Sequence, residues 1–206
     1  FYAPYEPDGR EAAAECQGPG LKHILGCDNF GRDVFSRVLK GSGVTLFVAA
    51  MTVLCGSILG VILGAFTGYF GGILDEALMR INDAVFAFPS ILLALVFVSL
   101  AGSGTRNVIV ALGIAFVPSF ARIVRGEFLH QRNLDYVQSA RLMGASHMRI
   151  MFVHILPNIG PVLLSSVAIG FNNAVLAEAS MSFLGVGIKP TESASLGRML
   201  LDSQSY

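Results

Sequence analysis

Gly41 to Leu74 reads GSGVTLFVAAMTVLCGSILGVILGAFTGYFGGIL, without a single Asp, Glu, Lys or Arg. A helix over Val44 to Phe66 would be roughly 34 Å long, enough to cross a hydrocarbon core of about 30 Å. This stretch therefore decides the fold class: an all-α, polytopic membrane protein. Gly56, Gly60 and Gly64 recur at every fourth position, which lines one helix face with backbone and lets a neighbouring helix approach closely. Downstream, Tyr69 to Gly72 break the run, and Asp75, Glu76, Arg80 and Asp83 predict a short polar connection. A second span is expected over Ala84 to Ala101, entered through Phe88-Pro89-Ser90. Gly102 to Asn107 forms a turn before a third span, Val108 to Ala121, whose end Pro118 should bend. A fourth span is expected over Ile155 to Ala177.

The whole composition agrees with this reading: 53% of residues are hydrophobic and 14% charged, with a mean hydropathy of +0.65, whereas about a quarter of the residues in soluble domains are charged. Fourteen Lys and Arg balance fourteen Asp and Glu, so no overall basic field attracts nucleic acid. Arg122, Arg125, Arg132, Arg141 and Arg149 crowd the connection between the third and fourth spans, against Arg106 in the preceding turn. The positive-inside rule then makes residues 122–154 a cytoplasmic loop of a transmembrane domain over 41–206. Residues 1–40 become an extracytoplasmic segment, and 178–206 also lie outside. The chain begins at Phe1 without a secretory h-region, so it reads as part of a longer protein. Cys55 sits in an apolar run as a small core residue. Cys16 and Cys27 share the outer segment, where a bridge between them stays open.

Two classes of function are disfavoured by what the spans lack. An ion-coupled carrier, the alternative reading, generally places ionisable groups within its spans, and the four predicted here hold none. An intramembrane enzyme needs a catalytic constellation at membrane depth, yet His23, His130, His147 and His154 all fall in polar segments or at an interface. Nor is there a Gly-x-x-x-x-Gly-Lys-Ser/Thr stretch to hold a nucleotide's phosphates. Any energy from ATP must come from another chain.

Asp135 to Asn158, DYVQSARLMGASHMRIMFVHILPN, reads as two short helices broken at Gly144. Asp135 is a candidate N-cap, and Tyr136, Ala140, Met143 and His147 recur at helical spacing. Gln138-Ser139-Ala140, then Gly144, then His154 to Pro157 resembles the Glu-Ala-Ala loop of ABC importer permeases. Gln138, Ser139 and His154 depart from that pattern, while Ala140, Gly144, Leu156 and Pro157 fit it. His23-Ile24-Leu25-Gly26-Cys27-Asp28, followed by Gly31-Arg32-Asp33, is similar to the His-Pro-Leu-Gly-Thr-Asp-x-x-Gly-Arg-Asp motif of the C-type permease subunit in dipeptide, oligopeptide and nickel importers. Ile24 and Cys27 replace Pro and Thr. Glu178 to Gly187, EASMSFLGVG, resembles a third segment of the same permeases, and Gly185 and Gly187 should end its helix.

The resemblance implies a type I, MetI-like transmembrane fold in the bacterial plasma (inner) membrane, with a further span before Phe1 and another after residue 206. It implies a permease subunit of an ATP-driven importer for peptides or nickel, forming half of a translocation pore. Two ABC ATPase subunits, a homologous second permease and an extracellular substrate-binding protein are the implied partners, beside membrane lipid. ATP and Mg²⁺ would be bound by the ATPase, and this chain would hold neither cofactor nor metal. Tyr136, Gln138, Ser139, Ala140, Met143, Gly144, Ala145, Leu156 and Pro157 are the implied ATPase-coupling residues, with Ala140 in close contact. Asn172, Asn173, Glu178 and Ser182 would lie on the outer face or translocation path. Read as a charge alone, Glu178 either snorkels to the interface or serves gating or docking.

Overall fold

A computed structural model describes residues 3–7, 9, 15–189 and 194–204. Nine α-helices and one π-helical turn form among them: α1 Val34–Phe70, α2 Gly72–Phe86, α3 Ser90–Ala101, α4 Thr105–Gln131, α5 Asp135–Leu142, α6 His147–Arg149, the π turn Ile150–Ile155, α7 Leu156–Asn158, α8 Gly160–Phe183 and α9 Leu196–Ser203. α1, α4 and α8 are long and apolar enough to cross a membrane. α2 and α3 together pass the same test but bend by 85°.

α1 and α4 form the most extensive helix pair, and the glycine stripe explains how close they come. A Cβ placed on Gly60 would stand 2.4 Å from Phe120 Cβ, on Gly64 2.5 Å from Ala121 O, and on Gly68 2.6 Å from Arg125 O. Only hydrogen fits there, so the stripe read from the sequence packs within the chain and continues one turn further, to Gly68. Two apolar clusters fill the helix bundle. One joins α1, α3, α4 and α8 around Val48, Val98, Leu112 and Phe116. The other lies at the far end of α1, around Tyr69, Val124, Phe128, Val137 and Ile150.

Several expected boundaries move. The polar connection Asp75 to Asp83 is helical: it belongs to α2, which turns Asp75, Met79 and Asn82 inward. Arg125 makes this feasible, because its Nε and Nη2 reach the two Asp75 oxygens at 2.5 and 2.7 Å and a buried carboxylate is thereby paired. In place of the expected second span stands the bent α2–α3 unit, broken at Ala87 to Pro89. The third runs through Pro118 to Gln131, so Arg122 to Gln131 are its last turns and the loop proper starts at Arg132. Proline removes one bond from a helix that α1 supports along its length, and the ladder survives. The fourth span is α8, displaced towards the C-terminus to Gly160–Phe183.

Residues 15–33 build a clasp at the start of α1. His23 Nδ1 and Asp33 Oδ1 lie 2.9 Å apart in a buried pair, while Asp33 Oδ2 accepts the Ser36 N–H at 2.8 Å and caps the helix. Asp28 gathers Arg32 Nε at 2.7 Å and Arg37 Nη1 at 3.1 Å, and Arg37 reaches on to Asp202 of α9 at 3.4 Å. Burial by itself would raise the Asp28 carboxyl, but hydrogen bonds from the Arg32 backbone and guanidinium and from the Phe30 N–H hold it below the usual carboxylate range.

Candidate functional site

The loop between α4 and α8 is anchored from below and bare on top. Val137 and Ala140, one helical turn apart on α5, are 0% and 4% exposed and belong to the cluster with Tyr69, Phe128 and Ile150. Ala140 thus packs against its own chain; the surface offered outward is Leu142 and Met143, 89% and 81% exposed. The expected common face of Tyr136, Ala140, Met143 and His147 does not form, because α5 ends at Leu142 before the pattern completes. Asp135 is the first helical residue and Leu134 the N-cap.

Gly144 terminates α5 in the left-handed region at φ +80°. Its N–H donates to Arg141 O at 3.0 Å and the Ala145 N–H to Ala140 O at 3.1 Å, the paired bonds of a Schellman ending. Ser146 opens α6 by accepting the Arg149 N–H at 3.4 Å. The rest of the loop is tied down by side chains. Tyr136 Oη donates to Gln131 Oε1 at 2.7 Å, and Asn158 Nδ2 donates to the same oxygen at 3.1 Å. Gln138 Nε2 donates to Asn133 O at 3.0 Å, and Ser139 O accepts the Met143 N–H at 3.0 Å. Leu156 is half-buried against the inner cluster and Pro157 is exposed in α7.

Three anchors escaped sequence reasoning. Tyr69 Oη and His147 Nδ1 lie 2.9 Å apart, joining the end of α1 to the start of α6. Arg132 Nη1 donates to the carbonyls of Gly68 and Tyr69 at 3.1 and 3.2 Å, closing the C-terminus of α1 where orphan acceptors remain. Gln131 is the third. The concentration of arginines signalled Arg132 as a charge but not as a cap, and a contact from Tyr69 to His147 leaves no local pattern.

At the opposite end of α8, Glu178 is fully buried and does not snorkel. Ser182 Oγ, one turn on, donates to Glu178 Oε1 at 2.7 Å; Oε2 has no hydrogen-bond partner among the described residues. As expected, the helix stops before Gly185 and Gly187, where the N–H groups of Val186 and Gly187 both reach Met181 O at 3.1 Å. Asn172 and Asn173 are exposed. Asn173 opens, with Ser119, Ser166, Phe88 and Phe120, onto a cavity of about 540 Å³ between α3, α4 and α8. Glu178 lies within α8, and α4 carries Arg122 and Arg125, so the case against an ion-coupled carrier from charge-free spans lapses. Among the described residues no three His, Cys, Asp or Glu side chains converge as a metal site.

Residues 60–205 match the family model for the binding-protein-dependent transport system inner membrane component. The chain belongs to that family. Its members are the permeases of ABC importers, and inner-membrane, multi-pass placement comes with the assignment. This permease-family chain is 42% identical over 189 residues to the glutathione transport system permease protein GsiD of Pectobacterium atrosepticum, covering 92% of the chain and 62% of the relative. It is 42% identical over 201 residues to a putative peptide transport system permease protein of Brucella suis, covering 98% and 67%. With the dipeptide transport system permease protein DppC of Haemophilus influenzae it shares 34% over 212 residues, covering 100% and 72%. The chain thus spans about two thirds of these relatives' lengths. A chain of the inward-facing MetNI methionine ABC transporter superposes with a TM-score of 0.68 at 21% identity, over 82% of this chain and 80% of that one. The permease fold is MetI-like and all-α.

Proposed function

We propose that this chain is a permease subunit of an ATP-driven importer of short peptides, forming half of the pore and driven by a cytoplasmic ATPase that docks on the loop from Asp135 to Pro157. The observation that carries the coupling assignment is the pair Leu142–Met143, exposed at the tip of a helix whose opposite face is locked into the core. A helix held that firmly transmits force, and two bare apolar side chains flanked by Arg141 suit a groove on a partner. Gly144 sets the angle at which α6 leaves the contact. Tyr136, Gln138, Ser139, Ala140, Ala145, Leu156 and Pro157 then serve coupling by shaping the loop from beneath, and Met143 by touching the ATPase.

The pore-side assignment rests on Asn172 and Asn173. Exposed amides within a span are costly in lipid, and a water-lined path or a second permease relieves that cost. Glu178 and Ser182 order the outer end of the same helix, where an extracellular substrate-binding protein would deliver cargo. ATP and Mg²⁺ belong to two ATPase subunits. Relatives named for glutathione, dipeptide and peptide transport favour peptides over nickel as cargo.

Leu142→Asp combined with Met143→Asp tests the proposal in the assembled transporter. The variant should insert normally, lose co-purification with the ATPase and lose substrate-stimulated ATP hydrolysis. Undiminished co-purification and uptake would show this tip to be a plain surface loop.

A further inference from the structure

The clasp at the start of α1 holds two thiols for which the import reading has no use. The Cys16 N–H donates to Asp28 O at 3.0 Å and the Cys27 N–H to Gln17 O at 2.9 Å, so each cysteine is hydrogen-bonded through its backbone to the chain neighbour of the other. Those two bonds bracket the pair and hold the cysteines' backbones together, and a disulfide needs such proximity, with Cα atoms about 4.4–6.8 Å apart. Both cysteines also line one cavity of about 390 Å³, walled by Val34, Arg37 and Met199. Cys16 is exposed and accessible to an oxidant, while Cys27 is buried at the base of the clasp. The remaining cysteine, Cys55, is in the middle of α1 against Gly113, remote from both.

We infer that Cys16 and Cys27 form a disulfide once the clasp stands outside the membrane, closing residues 16–27 into a covalent loop over the N-cap of α1. The oxidant is a more oxidising protein disulfide of that compartment, acting by thiol–disulfide exchange. The Cys16 thiolate attacks a sulfur of the oxidant, expels the other as a thiol and forms a mixed disulfide. The Cys27 thiolate then attacks Cys16 Sγ. Two electrons and two protons leave the cysteine pair, one S–S bond forms in the clasp, and the oxidant ends as a dithiol. The loop so closed contains His23, whose ring meets Asp33 at 2.9 Å, so the bridge fastens the residues that hold the helix cap. This inference rests on the outside placement of residues 1–40.

The full chain is expressed in its inner membrane, acid-quenched and alkylated under denaturing conditions without reductant. Lys22 separates the two cysteines, so trypsin yields peptides 11–22 and 23–32. They are expected as one linked species that reduction splits into two. Recovery of both as separate, alkylated peptides before reduction overturns the inference. Cys27→Ser, which leaves Cys16 as the exposed thiol, separates this failure from a wrong orientation. Labelling of Cys16 by a membrane-impermeant maleimide in intact spheroplasts, with unlinked peptides in the unsubstituted chain, leaves the orientation standing and sinks the bridge. Labelling only after the membrane is opened sinks both.

Discussion

At position 144 the backbone sits at φ +80° with open space where a Cβ would go, so the demand on this residue is conformational and not steric. Gly144→Val should cost about 1–2 kcal/mol of loop geometry and reduce uptake and ATPase co-purification, whereas Gly144→Asn, tolerant of the left-handed region, should retain most of both. Equal behaviour of the two would remove the conformational account. Ala140→Asp is a different kind of variant. It places a charge at a site 4% exposed within the chain's own core, so a loss on the order of 3 kcal/mol or more is expected. Lower yield and a lower melting temperature should appear before any defect in docking. The contrast marks what was legible at this scale. A glycine after a short helical pattern announces its own role, but a motif alanine does not say which way it points. Its inward direction follows from Val137 three residues earlier, and from a core assembled out of α1, α4 and the π turn. Asp28 supplies the pH-dependent case. Its pKa is depressed in the folded clasp, so its stabilisation is complete above the ordinary carboxylate value of about 3.9 and is lost as pH falls below it. The melting temperature should hold between about pH 7 and 5 and drop below about pH 4. Asp28→Asn should flatten that drop, and an unchanged profile would count against the cluster.

Helices in this protein obey two different logics. The α1–α4 pair is steric: Gly64→Leu drives a side chain at Ala121 O and Arg125 N, which have nowhere to retreat. Overpacking of this kind costs about 1–3 kcal/mol, read as a lower melting temperature in detergent, whereas Gly126→Leu, on open surface, should leave it unchanged. Such a stripe is legible because its period equals the helix repeat. α2 is electrostatic, and it was missed for that reason. Its charges mimic a loop until Arg125, fifty residues away, pairs with Asp75. The π turn escaped on similar grounds. Ile150 and Ile155 are both buried at a spacing of five, which matches neither the helical nor the strand period. Pro118, read as a bend at the end of the third span, lies mid-helix because tertiary support outweighs one missing bond.

Across the whole molecule, the sites fall into two groups at opposite ends of α8, the anchored loop at one and Glu178 with Ser182 at the other. The orientation drawn from the arginines has a direct check. Asn133→Cys should react with an impermeant thiol reagent only after the inner face is opened, and Lys189→Cys should react in intact cells; the reverse pattern would invert the protein. The class of fold was readable from apolar runs alone, since burying backbone in lipid permits few solutions; of the four expected spans, three stand as single long helices and the fourth is a pair bent by 85°. Cargo was not readable, because the described cavity beside Asn173 carries no charge that would select one. α1 raises a last point. Its 37 residues amount to about 55 Å of continuous helix, well beyond a hydrocarbon core, with no proline to yield. One end is clamped by Asp33 in the clasp, the other by Arg132 and His147 in the loop. A stiff rod pinned at both ends works as a strut. If an ATPase docks on the loop as proposed, a tilt imposed there would be carried along α1 to the clasp, and the two ends of the helix would share a single mechanical coordinate.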